Sequence, residues 1–140
     1  ISRAMELKEI KSGAVRIAQE AGVPIISVAL WGTQRMMTKD HPKDFKRGKS
    51  IHITVGEPFM PTGDDAAAET ARLHRVLSDL VDQTIQGYPA EEQPPGSWWL
   101  PAKFGGSAPT LEQAVEIDAN ERRERARRKA EARAAKRKKK

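Results

Sequence analysis

Apolar residues recur every three or four positions at the start of the chain. Leu7, Ile10, Ala14, Ile17, Ala18 and Ala21 follow this rhythm, with Glu6, Glu9, Lys11, Arg16, Gln19 and Glu20 mostly between them. That spacing predicts an amphipathic helix. Gly22 is a natural stop, and Pro24 forbids continuation soon after. The next stretch, Pro24 to Trp31, is apolar at odd and even positions alike and rich in β-branched residues. It predicts a strand buried on both faces, as in a sheet covered by helices. Gly32 to Ser50 is polar and reads as a loop. Ile51 to Val55 then alternates strictly between apolar and polar, which predicts a half-exposed strand with one face of each kind.

Gly56-Glu57-Pro58 and Pro61-Thr62-Gly63 break regular structure. Asp64 or Asp65 can then cap a long helix running to Gln86, with Leu73, Val76, Leu77, Leu80, Val81 and Ile85 on one face. Gly87 and Pro89 end it. Residues 88–110 hold five prolines and three glycines around Trp98-Trp99, and are expected to form an extended linker. The two indoles can clip that linker onto the domain or sit at a membrane interface, and the clip is the favoured reading. Thr110 and Gln113 stand at capping-box spacing. Beyond Ala119 the chain is Ala, Glu, Arg and Lys with few other residues and no large apolar side chain. It is either a solvated helix or disordered.

These elements divide the chain into 1–87, 88–110 and 111–140. Two strands are too few for a stable sheet. The expected fold class is therefore α/β, with 1–87 forming the C-terminal part of a sheet-and-helix domain whose remaining strands lie elsewhere.

Charge changes the picture only at one end. The 140 residues carry a formal net charge of +6. Residues 1–120 hold 13 basic and 16 acidic side chains, whereas residues 121–140 hold 12 basic and 3 acidic. Any attraction to a polyanion therefore belongs to the tail. The absence of cysteine excludes a disulfide scaffold and thiolate metal sites. The longest apolar run, Val23 to Trp31, falls well short of the ~20 residues of a membrane-spanning helix.

Five segments taken together resemble the glycerolipid acyltransferase family. They are Ile1-Ser2-Arg3, Ile10 to Ala14 (IKSGA), Ala21 to Ala29 (AGVPIISVA), Trp31 to Arg35 (WGTQR) and Val55 to Pro58 (VGEP). No single segment decides the matter; their order and spacing carry the resemblance. The family's catalytic block is a His, four residues and an Asp, followed later by a Phe-Pro-Glu-Gly-Thr-Arg block. The resemblance implies that this sequence begins just after that Gly-Thr, so the catalytic block is expected upstream. Val23 and Pro24 match the Val-Pro that opens the family's fourth motif strand. The family's phosphate-holding Arg is replaced by Ile1, and the resemblance passes the role to Arg3 two places on, with Lys11 as a second candidate. Ser27 stands where many members carry a further proline.

The chemistry so implied is acyl transfer. The His takes a proton from the free hydroxyl of lysophosphatidic acid, the Asp orients the imidazole, and the oxygen attacks the thioester of acyl-CoA or acyl-carrier protein. The product is phosphatidic acid. No cofactor or metal is expected, and the chain by itself is expected to be inactive. The implied location is the cytoplasmic face of a membrane, peripheral or anchored by the upstream part. An anionic membrane surface is an expected partner of residues 121–140.

Several residues have plainer readings. His74 and Asp79 match the His-four-Asp spacing, but a helix turns through about 500° over five residues, so they do not share a face. They also follow the motifs they ought to precede. His41 and His52 have no partner at ligand spacing and are expected to be solvated. The loop from Arg35 to Lys49 is either a soluble connection or a contact for phosphates of CoA or lipid headgroups. The alternative function is a polyanion-binding module acting through the basic tail. Nucleic acid is the disfavoured partner, because the body is acidic and carries no recognised nucleic-acid motif.

Overall fold

The computed structural model describes residues 3–138. Ile1 and Ser2 of the first motif, and Lys139 and Lys140 of the tail, lie outside the described residues. The chain is a mixed α/β structure. Helix α1 (Gly13–Ala21) leads into strand β1 (Ile25–Trp31), a loop, strand β2 (His52–Phe59), helix α2 (Ala66–Gln86), a segment with two short 3-10 turns, and helix α3 (Leu111–Lys138).

The helix boundaries follow local chemistry. At the C-terminus of α1, Gly22 takes a left-handed conformation (φ 65°), and the Val23 amide donates to the Ala18 carbonyl at 3.1 Å. Asp65 caps α2 by accepting from the Ala67 amide at 2.8 Å. Thr110 and Gln113 form a reciprocal capping box, each accepting from the other's backbone amide. The first helix is shorter than its pattern suggested. Residues 7–11 are irregular, Val15 and Ala18 face the core, and Ile17 is 68% exposed. The phase is set by what the helix meets: Val15 packs with Phe59 and Leu73, with Ile10 alongside.

The two strands pair antiparallel, with Trp31 opposite His52, Leu30 opposite Ile53 and Val28 opposite Val55, and a bulge between Ile26 and Val28. Helix α2 packs against both strands. The face it covers carries Ser27, Ala29 and Trp31 from β1 and, by register, Thr54 and His52 from β2. Small residues are needed there because α2 comes close: a side chain on Gly56 would meet Leu80 Cδ2 at 3.2 Å.

This corrects two expectations. Strand β1 is buried on one face only, and Ile26, Val28 and Leu30 are exposed on the other. Strand β2 is half-exposed, but its apolar side is the open one: Ile53 is 57% and Val55 64% exposed. Cross-strand pairing couples the parity of the two strands. Once α2 seats on the Ser27–Gly56 side, Ile53 and Val55 must join Val28 and Leu30 on the opposite face.

The segment 88–110 is the third correction. It is not extended. Tyr88, Trp99, Leu100 and Ala108 join Met5, Trp31 and Ile85 in the larger core cluster. Trp99 sits 6.1 Å from Trp31 and 6.0 Å, edge-on, from Tyr88, and Trp98 stacks on His41 at 3.5 Å. The segment is therefore clipped to the body by its aromatic residues. The basic tail is helical as far as Lys138.

Gly32 sits at the end of β1 with φ 99°, and a side chain there would collide with the Ser50 carbonyl oxygen and crowd Tyr88. Gly32→Ala is expected to cost more than about 2 kcal/mol in urea unfolding, because both strain and backbone overlap oppose it. Gly22→Ala, with φ 65° and open space around it, is expected to cost only about 1 kcal/mol.

Candidate functional site

The cationic residues near the start of the chain collect around helix α3. The Arg3 guanidinium donates through Nη1 to Asp40 at 2.7 Å, through Nε to Asp118 at 3.2 Å, and through Nη2 to Glu121. Lys8 pairs with the second oxygen of Asp118, and Lys39 with Glu121. Three cations thus meet three carboxylates, two of them supplied by the first turns of α3. Asp40, opposed by burial and then joined by Asp118 and Glu121, holds the guanidinium above its ordinary pKa. The carboxyls of Asp118 and Glu121 are held below theirs, first by Lys8 and first by Lys39 respectively.

Arg3 is therefore half-buried and committed to carboxylates. Lys11 is exposed just ahead of α1 and makes no ion pair with the described residues. The structure does not bring the two phosphate candidates into one cluster. Val23 and Pro24 are exposed in the short turn between α1 and β1.

A second polar cluster lies under the end of β1, and sequence reasoning missed it. Arg35, from the Trp31 to Arg35 segment, donates to the Tyr88 hydroxyl at 2.7 Å and to Glu92, with its guanidinium 5.1 Å from the Trp99 ring centroid. Glu92 also accepts from the Ser50 hydroxyl and from the Ser50 amide at 3.1 Å. Tyr88 donates to the Ser50 carbonyl at 2.8 Å. Trp31 Nε1 donates to Gln93 at 2.8 Å. The partners are dozens of residues apart in the chain, so no spacing rule could have found them. The one available signal was that Arg35, Glu92 and Gln93 flank segments rich in aromatic residues. The Ser50 hydroxyl, the Ser50 amide and then Arg35 push the Glu92 carboxyl down to about 2.

Of the histidines, His52 differs from expectation. His41 is exposed and stacks on Trp98. His52 is half-buried, and its ring lies where a side chain on Gly87 would approach its Cε1 to 2.6 Å. Nδ1 of His52 is buried without a hydrogen-bond partner among the described residues. His74 Nε2 lies 3.2 Å from the Lys8 carbonyl oxygen, while Asp79 is exposed on the same helix. That arrangement does not make a catalytic pair. Among the described residues, no group of His, Asp and Glu is placed to hold a metal ion, and no helix is long and apolar enough to cross a membrane. Comparison with known families, with curated proteins and with solved structures gave no match to this chain.

Glu92 links this cluster to pH. Its carboxyl ionises at about 2 in the folded chain against an ordinary value of 4.5. The stabilisation is present above the ordinary value and is lost as pH falls through the folded one. In urea unfolding between pH 5 and pH 2, Glu92→Gln is expected to show a smaller pH-dependent loss of stability than the unsubstituted chain. Parallel pH profiles for the two would contradict the assignment.

Proposed function

We propose that this chain is the C-terminal part of a glycerolipid acyltransferase, one that acylates lysophosphatidic acid to phosphatidic acid. In this reading the general-base His and its Asp lie upstream, and the acyl donor is acyl-CoA or acyl-carrier protein. The observation that carries the reading is the pairing of two motif segments far apart in sequence. Ile26 and Val28 of the Ala21 to Ala29 segment lie opposite Pro58 and Val55 of the Val55 to Pro58 segment. The open apolar face formed by Ile26, Val28, Leu30, Ile53 and Val55 adds support, because the remaining layers of an α/β domain would cover such a surface.

Within this reading Arg3 is the phosphate ligand. A phosphate offers the same kind of acceptor oxygens as a carboxylate, and guanidinium binds either one through paired hydrogen bonds. The substrate phosphate would exchange with Asp118 and Glu121 on Arg3, with Lys8 and Lys39 alongside to balance its charge. Lys11 is the second candidate, exposed and without an ion pair among the described residues. Held by its phosphate, the acceptor presents its hydroxyl to the upstream base in a fixed position.

The polyanion-binding alternative has an observation of its own. On α3, Glu124 and Glu131 pair with Arg128 and Arg127. Arg122, Arg125, Lys129 and Arg133 fall on another side of the helix at three- and four-residue spacing, with no ion pair among the described residues. A filter-binding titration of duplex DNA against anionic vesicles, with and without residues 121–140, separates the readings. Tighter binding to DNA than to vesicles at matched salt favours the alternative.

The direct test is an acyl-transfer assay with lysophosphatidic acid and acyl-CoA on the longer protein containing an upstream His-four-Asp block. That protein is expected to be active, and residues 1–140 alone inactive. Arg3→Ala in the active protein is expected to raise the acceptor KM at least about tenfold with little change in kcat. Activity of residues 1–140 alone, or an unchanged acceptor KM, would defeat the proposal.

A further inference from the structure

Both acidic groups of the loop between β1 and β2 are paired, whereas among the described residues half of its basic groups are not. Asp40 is taken by Arg3, and Asp44 by Lys49 at 2.9 Å. Of the loop's cations, Arg35, Lys39 and Lys49 are bound to Glu92, Glu121 and Asp44. Lys43, Lys46 and Arg47 are exposed and form no ion pair among the described residues. Between them stands Phe45, 62% exposed.

The loop is held in this shape at its base. The Asp44 amide donates to the Met36 carbonyl at 2.9 Å, and His41 is stacked on Trp98. Met37, 59% exposed, stands one residue from that closure on one side, as Phe45 does on the other. A large aromatic side chain is thus displayed to solvent on a braced turn, although the same domain buries two tryptophans and a tyrosine elsewhere.

The geometry points to this loop as an interfacial docking site for an anionic lipid bilayer. Phe45 and Met37 enter the boundary between headgroups and acyl chains, and Lys43, Lys46 and Arg47 bind lipid phosphates. An apolar tip ringed by unpaired cations matches both layers of that surface at once. A nucleic-acid backbone would satisfy the cations but offer the loop no apolar phase. The site deepens the acyltransferase reading, which needs the protein at a membrane, and its cations are other than those of the basic helix α3.

The test uses vesicles and needs no catalysis. Because residues 1–140 contain no cysteine, Phe45→Cys gives a single attachment point for an environment-sensitive fluorophore. On vesicles of phosphatidylglycerol and phosphatidylcholine in equal parts, the label at position 45 is expected to shift to the blue, and on phosphatidylcholine alone to remain in water. In sedimentation with the same mixed vesicles, the triple variant K43Q/K46Q/R47Q is expected to lower the partition coefficient about a hundredfold. F45S is expected to lower it about tenfold. Circular dichroism and urea unfolding check that these exposed substitutions leave the fold intact.

The proposal fails if the protein sediments with mixed vesicles while the label stays aqueous and the triple variant binds undiminished, which would assign binding to α3. It fails also if duplex DNA, but not vesicles, binds with dependence on residues 43–47. Loop-dependent vesicle binding by a protein whose longer form has no acyltransferase activity would keep this site and remove the enzymatic reading. Activity without loop-dependent binding would do the reverse.

Discussion

Glu92 holds together three parts of the chain that have no local reason to meet. Its carboxylate accepts from the Ser50 hydroxyl and amide just ahead of β2 and from Arg35 just after β1. Glu92 itself belongs to the segment that follows α2. A carboxylate with several donors in a half-buried site is strongly held in its charged form, and removing any one partner leaves the others incompletely satisfied. The aromatic cluster is built around this knot. Trp99 lies against Trp31, Tyr88 and the face of Arg35, and Gly32 provides the space that lets Tyr88 reach Ser50.

That arrangement explains how a two-stranded sheet persists. One face is sealed by α2, and the Trp31 end is covered by the folded-back segment 88–110. The second core, around Val15, Phe59 and Leu73, ties α1 to the other end of the sheet. What remains is the apolar face of Ile26, Val28, Leu30, Ile53 and Val55. Burial of such residues is worth ~1.5–3 kcal/mol each when complete, so covering this face would add substantially to the stability of the domain. The proposed function supplies a covering layer, and the glycerolipid reading and the architecture of the sheet are consistent on this point.

Charge is organised by pairing rather than by composition. Among the described residues, Arg3, Lys8 and Lys39 are neutralised at α3 and Arg35 at the knot, whereas Lys43, Lys46 and Arg47 stand together without an ion pair at the tip of the loop. A ligand anion would compete with three carboxylates at Arg3, but with no ion-paired carboxylate among the described residues at Lys43, Lys46 and Arg47. Such exposed attraction weakens with salt, whereas the enclosed pairs are screened less.

Local chemistry alone determined the C-terminal end of α1 and the N-terminal ends of α2 and α3. Gly22, Asp65, and the pair Thr110 and Gln113 act through hydrogen bonds within a few residues, and such bonds are legible from spacing. The apolar stripe of α2, strand β1, the first half of β2 and the division between an acidic body and a basic tail were legible for the same reason, but Gly56-Glu57-Pro58, read as a break, continues β2 to Phe59 because β1 pairs with it. The candidate site was legible only as residue types: the resemblance marks Arg3 and Lys11, but not the carboxylates that surround Arg3 or the separation of Lys11 from that cluster. Tertiary structure alone decided which face of each strand is buried, because alternation specifies two faces and not which of them meets a helix. It also decided the phase of α1, the stacking of His41 on Trp98 and the folding of the proline-rich segment into the core. These depend on contacts between residues distant in the chain, where pairing and close packing outweigh local preference.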